Sequence, residues 1–325
     1  MAERHTDLIV ASAPHVCAPA NTASIMRDVL IALVPALAVS VYVFGIRSLV
    51  MAVCCIVFCV FFEWLVRKIM KRDNTIGDLS AAVTGLILAF NLPVRLPIWM
   101  AAVGCFIAIV VVKQLFGGLG QNFANPAIVG RIALFIGFAG PMASWTINSR
   151  MSQAILDVAE IDATTGATPL GMLAAGQTLP SNLEMFLGLI SGSMGEISAA
   201  ALLLGGIYLI VRKVISPAIP VSFLATVAVL SLVFGLDPIF QLCAGGVMLG
   251  AIFMATDYVT SPITTSGRII FGIGCGLFTM LIRVYASYPE GVSFAILLMN
   301  ILTPHIDRLT RHKAFKPAPE GGAAK

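Results

Sequence analysis

Thr165-Gly166-Ala167-Thr168 is the stretch whose residue types and spacing invite chemistry. Two hydroxyls flank two small residues, which leave the Thr168 hydroxyl approachable. Pro169 follows and favours an extended Thr168. A threonine hydroxyl is a poor nucleophile at neutral pH without a neighbouring base, and the surrounding sequence offers none. Chemistry at Thr168 therefore means modification by another enzyme. By average residue usage, a Ser/Thr-Gly-Ala-Thr match arises by chance in about one chain in a hundred of this length. Taken alone, the four residues read as an ordinary Gly-containing turn.

Gly117-Gly118-Leu119-Gly120-Gln121-Asn122-Phe123-Ala124-Asn125-Pro126 is a second candidate. Its glycines and proline oppose regular helix, and Asn122 and Asn125 bring amide donors and acceptors. It suits a pocket for a planar polar ligand or an ion, and equally a tight turn with Asn caps. Asp257 lies among hydroxyls at a break in an apolar run. Asp78 and Glu196 stand at the starts of apolar runs, where a carboxylate commonly caps a helix. An ionisable group at membrane depth is a candidate for an ion or cofactor pathway, and these three are the candidates here. Glu63, four residues before Arg67 and five before Lys68, reads as half of an interfacial ion pair. The seven cysteines are scattered without a CxxC and read as packing residues. No hydrolase triad, HExxH, Walker loop or dinucleotide fingerprint stands out.

These residues must be positioned by membrane helices. Hydrophobic residues make up 58% of the chain and charged ones 11%, against about 25% charged in soluble domains. The sequence predicts an all-α integral membrane protein with about ten transmembrane helices. The expected spans are 29–44, 48–66, 79–92, 98–116, 127–145, 197–211, 219–234, 239–254, 269–284 and 291–302, with an apolar lead-in at 183–190. The chain divides into an N-terminal segment 1–28, a first membrane half of five spans 29–146, a polar loop 147–182, a second half of five spans 183–303, and a tail 304–325. The polar N-terminal region argues against a cleavable signal peptide.

Ten spans put 16 of the 20 Lys and Arg residues on the side of both termini, which makes that side cytoplasmic and the polar loop extracytoplasmic. Gly77-Asp78-Leu79-Ser80-Ala81-Ala82 resembles Gly195-Glu196-Ile197-Ser198-Ala199-Ala200, and the two enter from opposite sides. That pairing predicts an inverted-repeat, transporter-like core. A second pair, Asn125-Pro126 to Ile132 and Ser261-Pro262 to Ile269, enters twice from inside and does not fit one simple inversion.

The run Thr165 to Leu170 resembles the flavinylation motif of one family, that of RnfD in the Rnf complex and NqrB in the sodium-pumping NADH:quinone reductase. Ala13-Pro14-His15, the 78–93 segment, 113–127, 195–200, 253–262 and Leu298-Met299-Asn300 fit the same family. The length of 325 residues is nearer to RnfD.

The resemblance implies a membrane electron-transfer subunit of a redox-driven Na+ or H+ pump, a ferredoxin:NAD oxidoreductase in a bacterial or archaeal cytoplasmic membrane. It implies FMN esterified through its phosphate to Thr168 by a flavin transferase, with Thr165, Gly166 and Ala167 as the recognised run. It also implies a non-covalent riboflavin, for which Asn122 and Asn125 are candidate residues. The implied partners are further Rnf subunits, including a second flavin-bearing subunit and iron–sulfur subunits, and no nucleic acid. No NAD site is expected in this chain. A role like that of NqrB in the quinone reductase and a cofactor-free permease or channel are the alternatives.

Overall fold

The computed structural model describes residues 21–145, 168–176, 178–188, 192–196, 198–286 and 291–310. Thr165, Gly166 and Ala167 lie outside the described residues, as do 146–164 of the polar loop. Every regular element among the described residues is helical. The first half comprises α1 (Thr22–Phe44), α2 (Ile46–Ile69), α3 (Ser80–Phe90), α4 (Ile98–Gln114) and α5 (Pro126–Gly137). Two six-residue helices follow, α6 (Pro169–Ala174) and α7 (Asn182–Leu187). Then come α8 (Ala199–Val211), α9 (Ala218–Val233), α10 (Pro238–Cys243), α11 (247–254), α12 (Thr265–Tyr285) and α13 (Val292–Thr310).

Local sequence explains where several of these begin. Asn21 and Ser24 form a reciprocal capping box on α1. Asn125-Pro126, Thr168-Pro169 and Asp237-Pro238 each place a side-chain acceptor before a proline at the first helical position. The acceptor satisfies a free N–H, and the proline gives up only one that has no intrahelical partner.

Among the described residues, only α1, α2, α12 and α13 are long and apolar enough to cross a membrane alone. The others fall short: α3 has 11 residues, roughly 16 Å at 1.5 Å per residue, against a hydrocarbon core of about 30 Å. Two expected spans are shortened or broken. The span 127–145 is helical as α5 to Gly137, breaks at Phe138 and resumes for a single turn at Ala139–Met142. The span 239–254 is interrupted at Ala244–Gly246, where Gly245 and Gly246 take φ values of +62° and +68°. Side chains rarely adopt that region, and a Cβ at Gly245 would overlap Leu170 Cδ1 and the Arg283 guanidinium.

Two helices loosen at their ends. Gly118 N donates to Lys113 O at 2.9 Å, five residues back, and Leu115 N to Val110 O at 3.0 Å. Ala255 N does the same to Gly250 O at 2.8 Å. Such π-type turns recur at functional sites. Here they end α4 at Lys113–Gln114 and lead α11 into Asp257.

The helices are apolar on nearly every face, so small residues mark the inward ones. On α2, Val53, Val57, Phe61 and Trp64 face outward, while Cys55, Cys59 and Glu63 are fully buried. Gly85 lets α3 close on α2: a Cβ there would sit 2.7 Å from Cys55 O. Gly85→Val should therefore wedge the two helices apart, at an overpacking cost of about 1–3 kcal/mol. Thermal unfolding in detergent should show a clear drop in Tm for Gly85→Val. Gly77→Ala, where nothing lies within 4 Å, should leave Tm almost unchanged.

Candidate functional site

A cavity of about 90 Å³, measured for a water-sized sphere and open at its mouth, lies between the two halves. α1, α3, α4, α5, α8 and the link 255–264 all border it. Its polar groups include Ser80, Lys113, Asn122, Asn125 and Asp257, and the rest is mainly aliphatic. Three of the sequence candidates thus share one space: Asn122, Asn125 and Asp257.

Asn125 takes the capping role, and it also lines the cavity. Its Oδ1 accepts from Ala127 N at 3.0 Å, capping α5, and its amide donates to Met254 O at 3.2 Å while the residue borders the cavity. The Asn122 amide donates to Ala124 O at 3.1 Å. Asp257 accepts from Thr260 Oγ1 at 3.1 Å. Burial pushes the Asp257 carboxyl above the usual carboxylate range, and the Thr260 and Val259 hydrogen bonds and the Lys113 charge oppose that rise.

Lys113 is the cavity's cation and is 2% exposed. Its Nζ donates to Glu63 Oε2 at 2.8 Å and to Ser80 Oγ at 2.6 Å. Thr75 Oγ1 donates to the other Glu63 oxygen at 2.7 Å. Asp78 Oδ1 accepts from Ser80 N at 2.8 Å and from Ser80 Oγ at 2.5 Å, so it caps α3 and reaches the lysine only through Ser80. The expected Glu63 pairing with Arg67 or Lys68 is not what forms. The long-range Lys113 contact wins because Glu63 lies on the buried face of α2, away from water, where a carboxylate needs a dry partner.

Glu196 sits elsewhere. Gly195 N donates to Phe90 O at 2.8 Å, joining the end of α3 to the turn that leads into α8. α8 is capped by Ser198, which accepts from Ala201 N, so Glu196 is not its cap. Arg131 of α5 donates to Asn91 Oδ1 at 2.9 Å and to Ser293 Oγ at 3.0 Å, and its other terminal nitrogen lies 4.0 Å from Glu196 Oε1. Arg131, which charge placement puts among the cytoplasmic cations, is a buried hub. α3 starts at the cavity end beside Lys113, and α8 ends there, where Arg212 and Tyr208 meet Asp28 of α1 at 3.2 Å each. The two helices led by the matching Gly-Asp and Gly-Glu stretches therefore run in opposite directions.

Thr168 lies at the far end from the cavity. Its Oγ1 accepts from Gly171 N at 3.1 Å and caps α6. Leu170 is buried against Gly245, beside Arg283 at the end of α12. Arg283 donates to Gln241 O at 2.7 Å and to Ala244 O at 2.6 Å, which pins the loop that carries Gly245. Thr168 itself is 6% exposed.

Sequence reasoning missed Lys113, Arg131, Asn91 and Ser80. A signal existed for Lys113 and Arg131, since each interrupts an apolar run, as functional membrane charges do. Nothing in the sequence distinguishes Asn91 from a turn residue.

The structure is that of a helical membrane protein with a polar cavity at one end and a capped, loop-borne threonine at the other. The profile of the NQR2, RnfD, RnfE family matches residues 9–316, and the chain belongs to that family. It is 49% identical over 313 residues to the D component of the Na(+)-translocating ferredoxin:NAD(+) oxidoreductase complex of Acetobacterium woodii, covering 95% of each chain. It is 43% identical over 324 residues to the D component of the proton-translocating ferredoxin:NAD(+) oxidoreductase complex of Clostridium ljungdahlii, covering 94% of this chain and 95% of that one. The D component of an ion-translocating oxidoreductase complex of Halorhodospira halophila is 38% identical over 334 residues, covering 93% and 94%.

The buried pair gives a direct test. Lys113→Ala leaves Glu63 as an unpaired buried charge, and Glu63→Ala leaves Lys113 so. Each should cost about 3–5 kcal/mol, read as a fall in Tm in detergent. Replacing both with leucine should cost less than either single change. Strictly additive losses would mean that the pair does not act as one unit.

Proposed function

We propose that this chain is an electron-carrying membrane subunit of an Rnf-type ferredoxin:NAD oxidoreductase that moves Na+ or H+ across a bacterial or archaeal cytoplasmic membrane. Thr168 carries FMN as a phosphoester on the outer face. The observation that carries this reading is the state of Thr168. It closes the Thr-Gly-Ala-Thr run in a chain of this family, and it stands at the end of the bundle opposite the cavity. Family relatives named for Na+ and for proton translocation are similarly close, so the ion is left as either.

The residues present fit a phosphoester. Esterification at Oγ1 leaves an oxygen at the position that accepts from Gly171 N, so the cap on α6 survives. Leu170, locked against Gly245, fixes α6 and hence the attachment point. As a residue Thr168 is 6% exposed. A flavin, when bound, supplies the electron chemistry that side chains lack. The protein contributes position and a charge environment. The covalent bond keeps the cofactor on the outer side, and a flavin transferase with other Rnf subunits, flavin-bearing and iron–sulfur, completes the assembly.

The cavity suits the second, non-covalent flavin, riboflavin. Lys113, Asn122 and Asn125 bring N–H donors to a cavity whose walls are mainly aliphatic. Asp78, Asp257 and Glu196 belong to the route of the coupling ion, the first two at the cavity end and Glu196 at depth. The short helices join into ten spans with both termini and the cavity cytoplasmic, the arrangement favoured by the Lys and Arg distribution.

Thr168→Ala removes the only oxygen that can hold the phosphate. In a host with the transferase, the purified chain should lose its covalent flavin mass and its fluorescence on a denaturing gel, while the complex still assembles. Thr168→Ser should retain part of the label. A wild-type chain without flavin from such a host would overturn the reading and return the chain to the permease class. Reporter fusions at Gln153 and Ala324 should report opposite sides of the membrane. A cytoplasmic signal at Gln153 would remove the outer placement.

A further inference from the structure

The structure assigns a headgroup site for an anionic phospholipid to a second, basic cavity, where α8 ends and α9 and α12 begin. It holds about 420 Å³, measured for a water-sized sphere. Lys213 and Arg268 line it, and Ser216 and Ser261 add hydroxyl donors. No carboxylate lines it among the described residues. Both cations keep donors in reserve. The Lys213 ammonium has no hydrogen bond or ion pair among the described residues, and Arg268 uses only Nε, which donates to Pro262 O at 3.1 Å. Arg212, next to Lys213 in the chain, is instead held by Asp28 at 3.2 Å. An ammonium beside the open fork of a guanidinium, with hydroxyls around them, matches the two charged oxygens of a phosphodiester.

The surroundings favour a lipid over a soluble anion. Ile210 and Ile219 give the cavity apolar walls. Within one turn of them Ile207 and Val211 on α8 and Val221 on α9 are exposed. In a membrane helix such side chains face lipid, so acyl chains find apolar surface directly beside the charges. The cavity also sits where apolar helices end in Lys and Arg, the level of phospholipid headgroups. Basic pockets between membrane helices bind anionic headgroups at that level. Phosphatidylglycerol and cardiolipin supply the required phosphodiester without a cation of their own. A phosphatidylcholine headgroup brings a quaternary ammonium against Lys213 and Arg268, which opposes its entry.

This site is separate from the cavity of Lys113 and Asp257. Val214, Ile215, Thr256 and Tyr258 line both and form the wall between them. The Tyr258 hydroxyl donates to Val214 O and ties that wall together. A headgroup in the second cavity therefore borders the first without entering it. The inference needs only that the helices lie in a membrane, and it is independent of any flavin on Thr168.

Two lysines make the test internally controlled. Lys213 has φ +57°, which glycine adopts without steric cost, so Lys213→Gly removes the charge and keeps the turn. Lys71, exposed with φ +52° and outside the cavity, is the matched control. The purified full chain in neutral detergent is titrated with phosphatidylglycerol, phosphatidylcholine or inorganic phosphate. Acetylation of each lysine by an N-hydroxysuccinimide ester is then read by peptide mass spectrometry. Phosphatidylglycerol should protect Lys213 and not Lys71, and phosphatidylcholine should protect neither. Arg268→Gln should raise the phosphatidylglycerol needed to protect Lys213 by about fivefold, the worth of one basic residue at a membrane surface. In native mass spectrometry Lys213→Gly should weaken phosphatidylglycerol binding by about the same factor, and Lys71→Gly should leave it unchanged. A Lys213 that no lipid protects, equal protection of Lys71, or phosphatidylcholine as effective as phosphatidylglycerol would overturn the site. Inorganic phosphate protecting as well as the lipid at equal concentration would overturn the lipid as its occupant.

Discussion

A guanidinium cannot sit in the middle of an apolar bundle unless protein atoms receive its donors. Arg131 imposes that constraint, and much of the architecture answers it. Asn91 at the end of α3, Ser293 at the start of α13 and Glu196 before α8 converge on it. The backbone bond from Gly195 N to Phe90 O closes the same junction. Helices of 11 to 13 residues expose free carbonyls and N–H groups at depth. Here those ends meet one another and a charged hub rather than lipid.

The polar groups occupy two levels. At the cavity end, Lys113 is held by Glu63 and Ser80, with Asp78 behind Ser80, so the lysine is fixed before any ligand arrives. At the far end, Gly245 and Gly246 break a helix and bring Leu170 of the Thr168 platform close to Glu196. Arg131 and Asn91 stand between the levels, and the Asn91 amide reaches Met254 Sδ at 3.6 Å, where Asn125 also bonds Met254 O. Loosened π-type turns at the ends of α4 and α11 aim Lys113 and Asp257 into the cavity. The result is a dry apolar shell crossed by a sparse, largely satisfied polar thread, a geometry in which a charge change at one level can be felt at the next.

Much of this was legible in the chain. Composition dictated a lipid-facing helical protein, because so few charges cannot cover so much apolar surface in water. The pairs Asn125-Pro126 and Thr168-Pro169 announced helix starts, since cap and proline act within a few residues of one another. Less legible were partners far apart in sequence. Glu63 looked like a neighbour of Arg67 because helical spacing reports only what lies three or four residues away. Its true partner is 50 residues distant. The span expected at 239–254 read as continuous because hydropathy averages over two glycines that in fact turn the backbone left-handed.

The sequence by itself determined the solvent of this protein, the helical class, the local caps and the run that ends at Thr168. Each follows from composition or from contacts within a turn of helix, which short-range physics decides. Only the tertiary structure decided that Asn122, Asn125 and Asp257 share a cavity with Lys113, that Asp78 serves Ser80, and that Glu196 faces Arg131 at another depth. Those groupings depend on which helix faces pack together. In a bundle apolar on nearly every side, hydropathy does not choose the inward face. Buried charges and bare glycines do, and they choose it only by finding partners across the fold.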